Sequence, residues 1–156
     1  SIGQLVRTAW IDQNVFGKPL ATANNYIFNQ EDGDDADGSP MDGVFIESSD
    51  FDLQEGNSFT FVRRMIPDVK FYGTNVQSGV PQINMLLKTR NAPSDSLTTR
   101  ATTDISNNTD QVHVRARGRQ AVLRLQSDDD AAVDNRTGYK WRLGYTRLDI
   151  NPDGRR

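Results

Sequence analysis

A chain of 156 residues that is 35 % hydrophobic and 25 % charged, with a net charge of −3, is long enough to bury one substantial core. The absence of cysteine excludes disulfides, thiolate nucleophiles and cysteine-ligated metals. No apolar run approaches the ~20 residues that span a bilayer, and the N-terminus lacks a basic-then-apolar secretory pattern.

Taken in chain order, the predicted elements are all strands. Leu5–Ile11 and Asn25–Asn29 flank a Gly17-Lys18-Pro19 turn, and read as a hairpin. An acidic loop, residues 31–42, follows. Further strands are predicted at Gly43–Glu47, Phe51–Leu53, Phe59–Ile66, Val69–Tyr72, Gln82–Thr89, Gln111–Ala116, Ala121–Gln126, Lys140–Leu143 and Thr146–Ile150, separated by turn clusters such as Glu55-Gly56-Asn57-Ser58 and Ala92-Pro93-Ser94-Asp95. No segment sustains a 3.6-residue period. The fold class is therefore all-β, an antiparallel β-sandwich or barrel-like domain over residues 41–156, preceded by residues 1–40 as an N-terminal hairpin and acidic loop. An isolated hairpin is marginal in water, so this one packs on the following domain or belongs to a body upstream. Ile83, Met85 and Leu87 define one apolar face, and Phe59 with Phe61, Val69 with Phe71, and Trp141 with Leu143 are expected to complete the core.

Charge divides along the chain. Residues 1–60 hold Arg7 and Lys18 against eleven carboxylates, net −9, and residues 61–156 hold sixteen cations against ten carboxylates, net +6. Such a split either pairs two halves of one fold or sets the acidic side of one subunit against the basic side of the next. The run from Val112 to Leu125 concentrates the basic side. Its apolar residues fall at 112, 114 and 116, then at 121, 123 and 125, so the buried face changes at Gly118, where a bulge is expected. Arg115, Arg117 and Arg119 stand in a row, about 6.6 Å apart along an extended strand, which suits a subunit surface, the phosphates of DNA, or plain solvent.

Motifs for chemistry are weak. In the acidic loop Asp32, Asp34, Asp35 and Asp37 offer a loose site for a hard cation, but a helix-flanked calcium loop would need an acid where Gly33 stands and a Glu where Val44 stands, so a solvated turn is favoured. Asp50 and Asp52 have the spacing of a glycosidase pair, as does any Asp-x-Asp strand. His113 is the single histidine, which rules out a two-His metal site within one chain. Phosphate-cradling and dinucleotide-binding glycine loops are missing. No catalytic residue, metal or cofactor is assigned, and a non-enzymatic role is expected.

Several segments together carry a resemblance. They are Tyr26-Ile27-Phe28-Asn29-Gln30-Glu31, Ile46-Glu47-Ser48-Ser49-Asp50-Phe51-Asp52, Phe61-Val62-Arg63-Arg64-Met65-Ile66-Pro67-Asp68, Val114-Arg115-Ala116-Arg117-Gly118-Arg119-Gln120, Trp141-Arg142-Leu143-Gly144, and Asp149 through Arg156. Over most of its length the chain resembles the C-terminal region of tail nozzle, or tail tube terminal, proteins of short-tailed bacteriophages, a group that includes packaged-DNA stabilisation hubs. It departs from them at Ser94–Asn108 and Asp128–Gly138. The resemblance implies a virion structural protein, assembled in the host cytoplasm as a ring of its own copies, hexameric by that likeness. The ring would surround the DNA exit channel and adjoin other tail or portal-adaptor proteins, with DNA passing without sequence-specific binding. It also implies that the opening hairpin is left from an upstream propeller-like body, and that the chain, which begins with Ser1, is part of something longer. Arg115, Arg117 and Arg119 are then expected at subunit contacts or facing DNA, and Asp34, Asp35 and Asp37 at a subunit edge or the channel wall. The alternative is a β-sandwich carbohydrate- or receptor-binding module, which would present Tyr72, Tyr139 and Tyr145 as an aromatic platform.

Overall fold

The computed structural model describes residues 8–13, 17–33, 43–56, 58–72, 81–127 and 140–154. Two compact units, residues 1–34 and 35–156, divide the chain. The first contains β1 (Ala9–Ile11), β2 (Leu20–Ala23) and β3 (Tyr26–Asn29) in one antiparallel sheet of that order. Asn24 and Asn25 both take positive φ, 51° and 67°, so a two-residue turn of the primed kind closes the β2–β3 hairpin, a conformation that asparagine tolerates better than most residues. β2, Leu20–Ala23, lies outside the strands predicted from the sequence. Its Ala-Thr-Ala pattern has no large apolar residue to mark a face, yet Ala21 and Ala23 are buried.

The second unit is all-β with antiparallel sheets and, among the described residues, no helix and no closed barrel. One sheet contains β4 (Phe45–Glu47), β11 (Gln120–Ser127), β8 (Gln82–Arg90) and β9 (Thr98–Ser106) in that spatial order, with β5 (Phe51–Asp52) also paired to β11. A second sheet orders β10 (Val112–Gly118), β6 (Thr60–Ile66) and β13 (Arg147–Pro152), and β7 (Val69–Tyr72) pairs with β12 (Lys140–Leu143). This is a sandwich-like arrangement around one core. Strict alternation in β8 sends Ile83, Met85 and Leu87 inward, each fully buried, and β10 does the same with Val112, Val114 and Ala116. Val62, Met65, Ile105, Ala121, Leu125 and Leu53 join them, and Val69, Phe71, Trp141 and Leu143 pack against this cluster as expected. No described helix is long and apolar enough to cross a membrane.

Two expectations are corrected. Gly118 is not a bulge within one strand: β10 ends there, Arg119 forms the corner, and the chain passes from the three-stranded sheet into the other. The buried face changes because the sheet changes. Glycine is required at this corner, since a Cβ on Gly118 would lie 2.7 Å from Cβ of the buried Thr89. Arg119 N–H donates to the Arg90 carbonyl at 3.1 Å, Leu53 N–H donates to the Arg119 carbonyl at 2.8 Å, and the Thr89 hydroxyl donates to the Arg117 carbonyl at 3.0 Å, so the corner is tied on three sides.

Phe59 and Phe61, expected in the core, are the second correction. Phe61 pairs directly with Arg117 across the β6–β10 ladder and therefore shares the outer face, and the Phe59 ring lies beneath Arg117 and Arg119. The inward residues of β6 are Thr60, Val62 and Met65. Val62 and Met65 are three apart because the ladder shifts register beside Arg63 on both flanks of β6, which leaves Arg63 and Arg64 on the outer side together.

Candidate functional site

The charge of the second unit is sorted onto two sheet faces. Away from the core, the five-stranded sheet carries Lys88, Arg90 and Arg124, and the short strands β4 and β5 bring carboxylates to them. Lys88 Nζ is 2.6 Å from Glu47 Oε2, Arg124 reaches the same oxygen at 3.4 Å and stacks on the Phe45 ring, and Arg90 pairs with Asp50. Arg90 Nε also donates to Gln120 Oε1 at 2.9 Å, while Gln120 Nε2 donates to Asp52 Oδ1 at 2.8 Å. The Lys88 hydrogen bond holds the Glu47 carboxyl below the usual carboxylate range; partial burial opposes it, and the charges of Lys88 and Arg124 add to it. Glu47, Asp50 and Asp52 thus serve as internal counter-ions and acceptors. Part of the division between an acidic and a basic half is resolved within one fold, and the Asp50/Asp52 spacing belongs to this network.

The three-stranded sheet shows the opposite balance. Alternation in β10 turns His113, Arg115 and Arg117 outward while Val112, Val114 and Ala116 go inward. The row of three arginines is nevertheless divided. Arg117 forms an ion pair with Asp153 and its guanidinium lies 3.9 Å from the Phe59 ring centre; Arg119 stacks on the same ring at 4.7 Å. These contacts, each worth about 0.5–1 kcal/mol at exposed sites, hold both side chains along their own surface.

Arg115 stands apart from that stack. It lines two adjoining open hollows: one of about 730 Å³, shared with Phe61, Arg63, His113 and Val114, and one of about 290 Å³, shared with Asn91, Arg100 and Arg117. Among the described residues no carboxylate lines either hollow, and no ion pair is formed by Arg115. Asp149, on β13 of the same sheet, is taken by Arg64 at 3.2 Å and Arg63 at 3.5 Å. Arg64 also donates to Gln111 Oε1 at 2.9 Å, and Arg100 donates to Thr89 Oγ1 at 3.3 Å. The result is two open hollows that share Arg115, with Arg63 at one and Arg100 and Arg117 at the other, and guanidinium groups so exposed can bind carboxylates or phosphates.

Sequence reasoning found Arg115 but missed Arg63 and Arg100, which join it only through strand pairing. The Arg63-Arg64 pair could have signalled the register shift, since two adjacent arginines cannot both lie outward in a regular strand. Arg100 gives no signal, because its threonine-rich strand, Thr98–Ser106, has no alternation of apolar residues. In the acidic loop, Asp32 is exposed and paired with Lys18; Asp34, Asp35 and Asp37 lie outside the described residues, as does Tyr139. Tyr72 and Tyr145 lie at opposite ends of the β7–β12 ribbon, because Tyr72 pairs with Lys140 and Tyr145 follows Leu143, the partner of Val69. They do not form one platform. Comparison of the chain with models of protein families, with curated proteins and with solved structures found no match.

Proposed function

We propose that this chain is a structural subunit of a short-tailed bacteriophage tail, part of the nozzle or hub that encircles the DNA exit channel. It assembles with copies of itself, in a hexameric ring by the resemblance of its sequence, and adjoins other tail or portal-adaptor proteins in the virion. Its chemistry is electrostatic and mechanical: a sandwich core gives a rigid support, and a charged sheet face sets the orientation of the neighbour. The observation that carries this reading is the exposed Arg115 between two open hollows, one lined also by Arg63 and His113 and the other by Arg100 and Arg117, with no described carboxylate lining either. Like charges gathered on an open surface repel one another modestly, and a partner that supplies negative charge relieves this while fixing register.

The test is particle imaging. The chain at high concentration is expected to form rings of fixed order in negative stain, and Arg115→Glu is expected to abolish them without lowering the melting temperature, because Arg115 is exposed. Wild-type protein that stays monomeric refutes the reading.

A further inference from the structure

We infer that copies of this chain join edge to edge, β4 of one copy pairing antiparallel with β9 of the next, so that the larger sheet continues from subunit to subunit. This rests on the ring reading above and names the strands that make its contact.

β4 and β9 end the path β4–β11–β8–β9, and the phase of the hydrogen bonds fixes which backbone groups each presents outward. Ser127 N–H donates to the Val44 carbonyl at 2.8 Å and Ser48 N–H to the Leu123 carbonyl at 2.9 Å, so Val44, Ile46 and Ser48 turn their backbone toward β11. Phe45 and Glu47 therefore turn theirs away. The same alternation, carried through the β11–β8 and β8–β9 registers, directs Ala101, Thr103 and Ile105 toward β8 and directs Thr102 and Asp104 outward. Ser106 obeys this phase, bonding outward to Thr109. Among the described residues, no hydrogen bond satisfies the outward backbone groups of Phe45, Glu47, Thr102 or Asp104. Such edges are templates for a further strand.

A second copy fits this edge in direction, face and charge. Each strand of the path is antiparallel to the next, so β4 and β9 run in opposite directions, and a copy set head to tail brings its β4 antiparallel to β9. Head-to-tail contacts are the kind that close into rings. Matching outward groups to outward groups pairs Phe45 with Asp104 and Glu47 with Thr102. On the core face this sets Val44 opposite Ile105 and Ile46 opposite Thr103, so the exposed Val44 and Ile46 extend the apolar surface that Ile105 begins. On the outer face, the exposed Asp104, which forms no ion pair among the described residues, comes beside the Phe45 ring, and the Arg124 guanidinium lies 3.9 Å from that ring's centre. A shift of two residues one way sets Glu47 against Asp104, and the other way runs onto Arg100, the extra residue where the β8–β9 ladder changes register. The Arg100 end of β9 also borders one of the hollows that hold Arg115, so a neighbour seated on this edge is the one that this arginine meets.

The chain has no cysteine, which makes disulfide trapping clean. Across the contact, Ile46 and Thr103 face each other as a non-hydrogen-bonded pair with Cα atoms about 4.5 Å apart, within reach of a disulfide. Within one chain they stand on opposite edges of the sheet, three strand spacings or about 14 Å apart, beyond that reach. Ile46→Cys and Thr103→Cys, carried by two separately tagged chains, mixed and mildly oxidised, are expected to form the Ile46–Thr103 heterodimer, and Ile46→Cys with Ala101→Cys about tenfold less of its own. Thr102→Pro deletes an outward N–H that β8 does not use, and Asp104→Lys sets a cation beside Arg124. Each is expected to weaken assembly about tenfold or more while far-UV circular dichroism stays unchanged. Discrete rings without the trap, or rings that tolerate both Thr102→Pro and Asp104→Lys, overturn the edge contact and leave the ring reading standing. Preferential cross-linking of Thr103→Cys to itself also overturns it, in favour of two β9 edges meeting symmetrically. Trapped head-to-tail chains that never close support the contact and refute the ring. A monomeric wild type with no trap refutes both.

Discussion

Gly118→Ala probes the corner at which the chain leaves one sheet for the other. The added methyl would sit 2.7 Å from Thr89 Cβ, 3.1 Å from Thr89 Oγ1 and 3.3 Å from the Arg90 carbonyl, and the first of these distances is far inside contact. Thr89 cannot yield freely: it is fully buried, its Oγ1 hydroxyl donates to the Arg117 carbonyl at 3.0 Å, and Thr89 Oγ1 itself accepts from Arg100 Nε at 3.3 Å. Overpacking of this kind costs about 1–3 kcal/mol, and a displaced buried hydrogen bond adds about 1 kcal/mol, so a loss of about 3 kcal/mol is expected. For a unit of this size that lowers the melting temperature by roughly 10 °C. Urea unfolding read by Trp141 fluorescence in a Trp10→Phe background isolates the second unit, since Trp10 lies in the first and is exposed. Thr89→Gly removes the obstructing carbon, so the double variant should lose less than the two single losses combined, with a coupling of about 1 kcal/mol or more. If Gly118→Ala unfolds at the wild-type midpoint, or if the two substitutions are simply additive, the corner is not tight and the account of the face change fails.

Two further outcomes follow from the same geometry. Phe59→Leu keeps an apolar body but removes the ring on which Arg117 and Arg119 rest; it should cost about 1 kcal/mol of stability and increase the reactivity of both side chains toward phenylglyoxal, read residue by residue by mass spectrometry. Glu47 has a folded-state pKa below its unfolded value, so its contribution is fully present above the unfolded value and is lost as pH falls through the folded one. The difference in urea midpoint between wild type and Glu47→Gln should therefore be greatest near neutrality and shrink toward zero on acidification below the usual carboxylate range; a difference independent of pH would refute the assignment of Glu47 as the counter-ion of Lys88.

The strands with strong alternation were legible from residues alone. Gln82–Thr89 and Val112–Ala116 carry large apolar groups at every second position, so a single core face accounts for them. β2 and β9 were not legible for the converse reason. Thr98–Ser106 is mostly threonine, its one large core residue is Ile105, and it is held by the ladder to β8 more than by its own burial. A threonine-rich strand has good β propensity but no contrast between its faces. The phenylalanines were misassigned because alternation states which residues share a face and leaves open which face meets the core. In β6 the inward positions are Thr60, Val62 and Met65, so the two aromatic residues were free to serve as platforms for arginine.

That inversion changes what an arginine row can mean. Three guanidinium groups at a period of two look equivalent in sequence, yet a single ring from the adjoining strand gives two of them an internal task and leaves the third beside cations from β6 and β9. The same sorting acts on the other sheet, where Glu47 and Asp50 are already committed to Lys88, Arg124 and Arg90. Intramolecular pairing works here as a filter. Charges met within the fold stabilise it and carry little information for a partner, because a neighbour must break one pair to form another. Charges left unpaired carry orientation, and among the described residues Arg115 and Arg100 form no ion pair, whereas Arg63 and Arg64 share Asp149. A substitution at Arg117 should thus register first in stability, through Asp153 and Phe59, whereas one at Arg115 should register first in assembly.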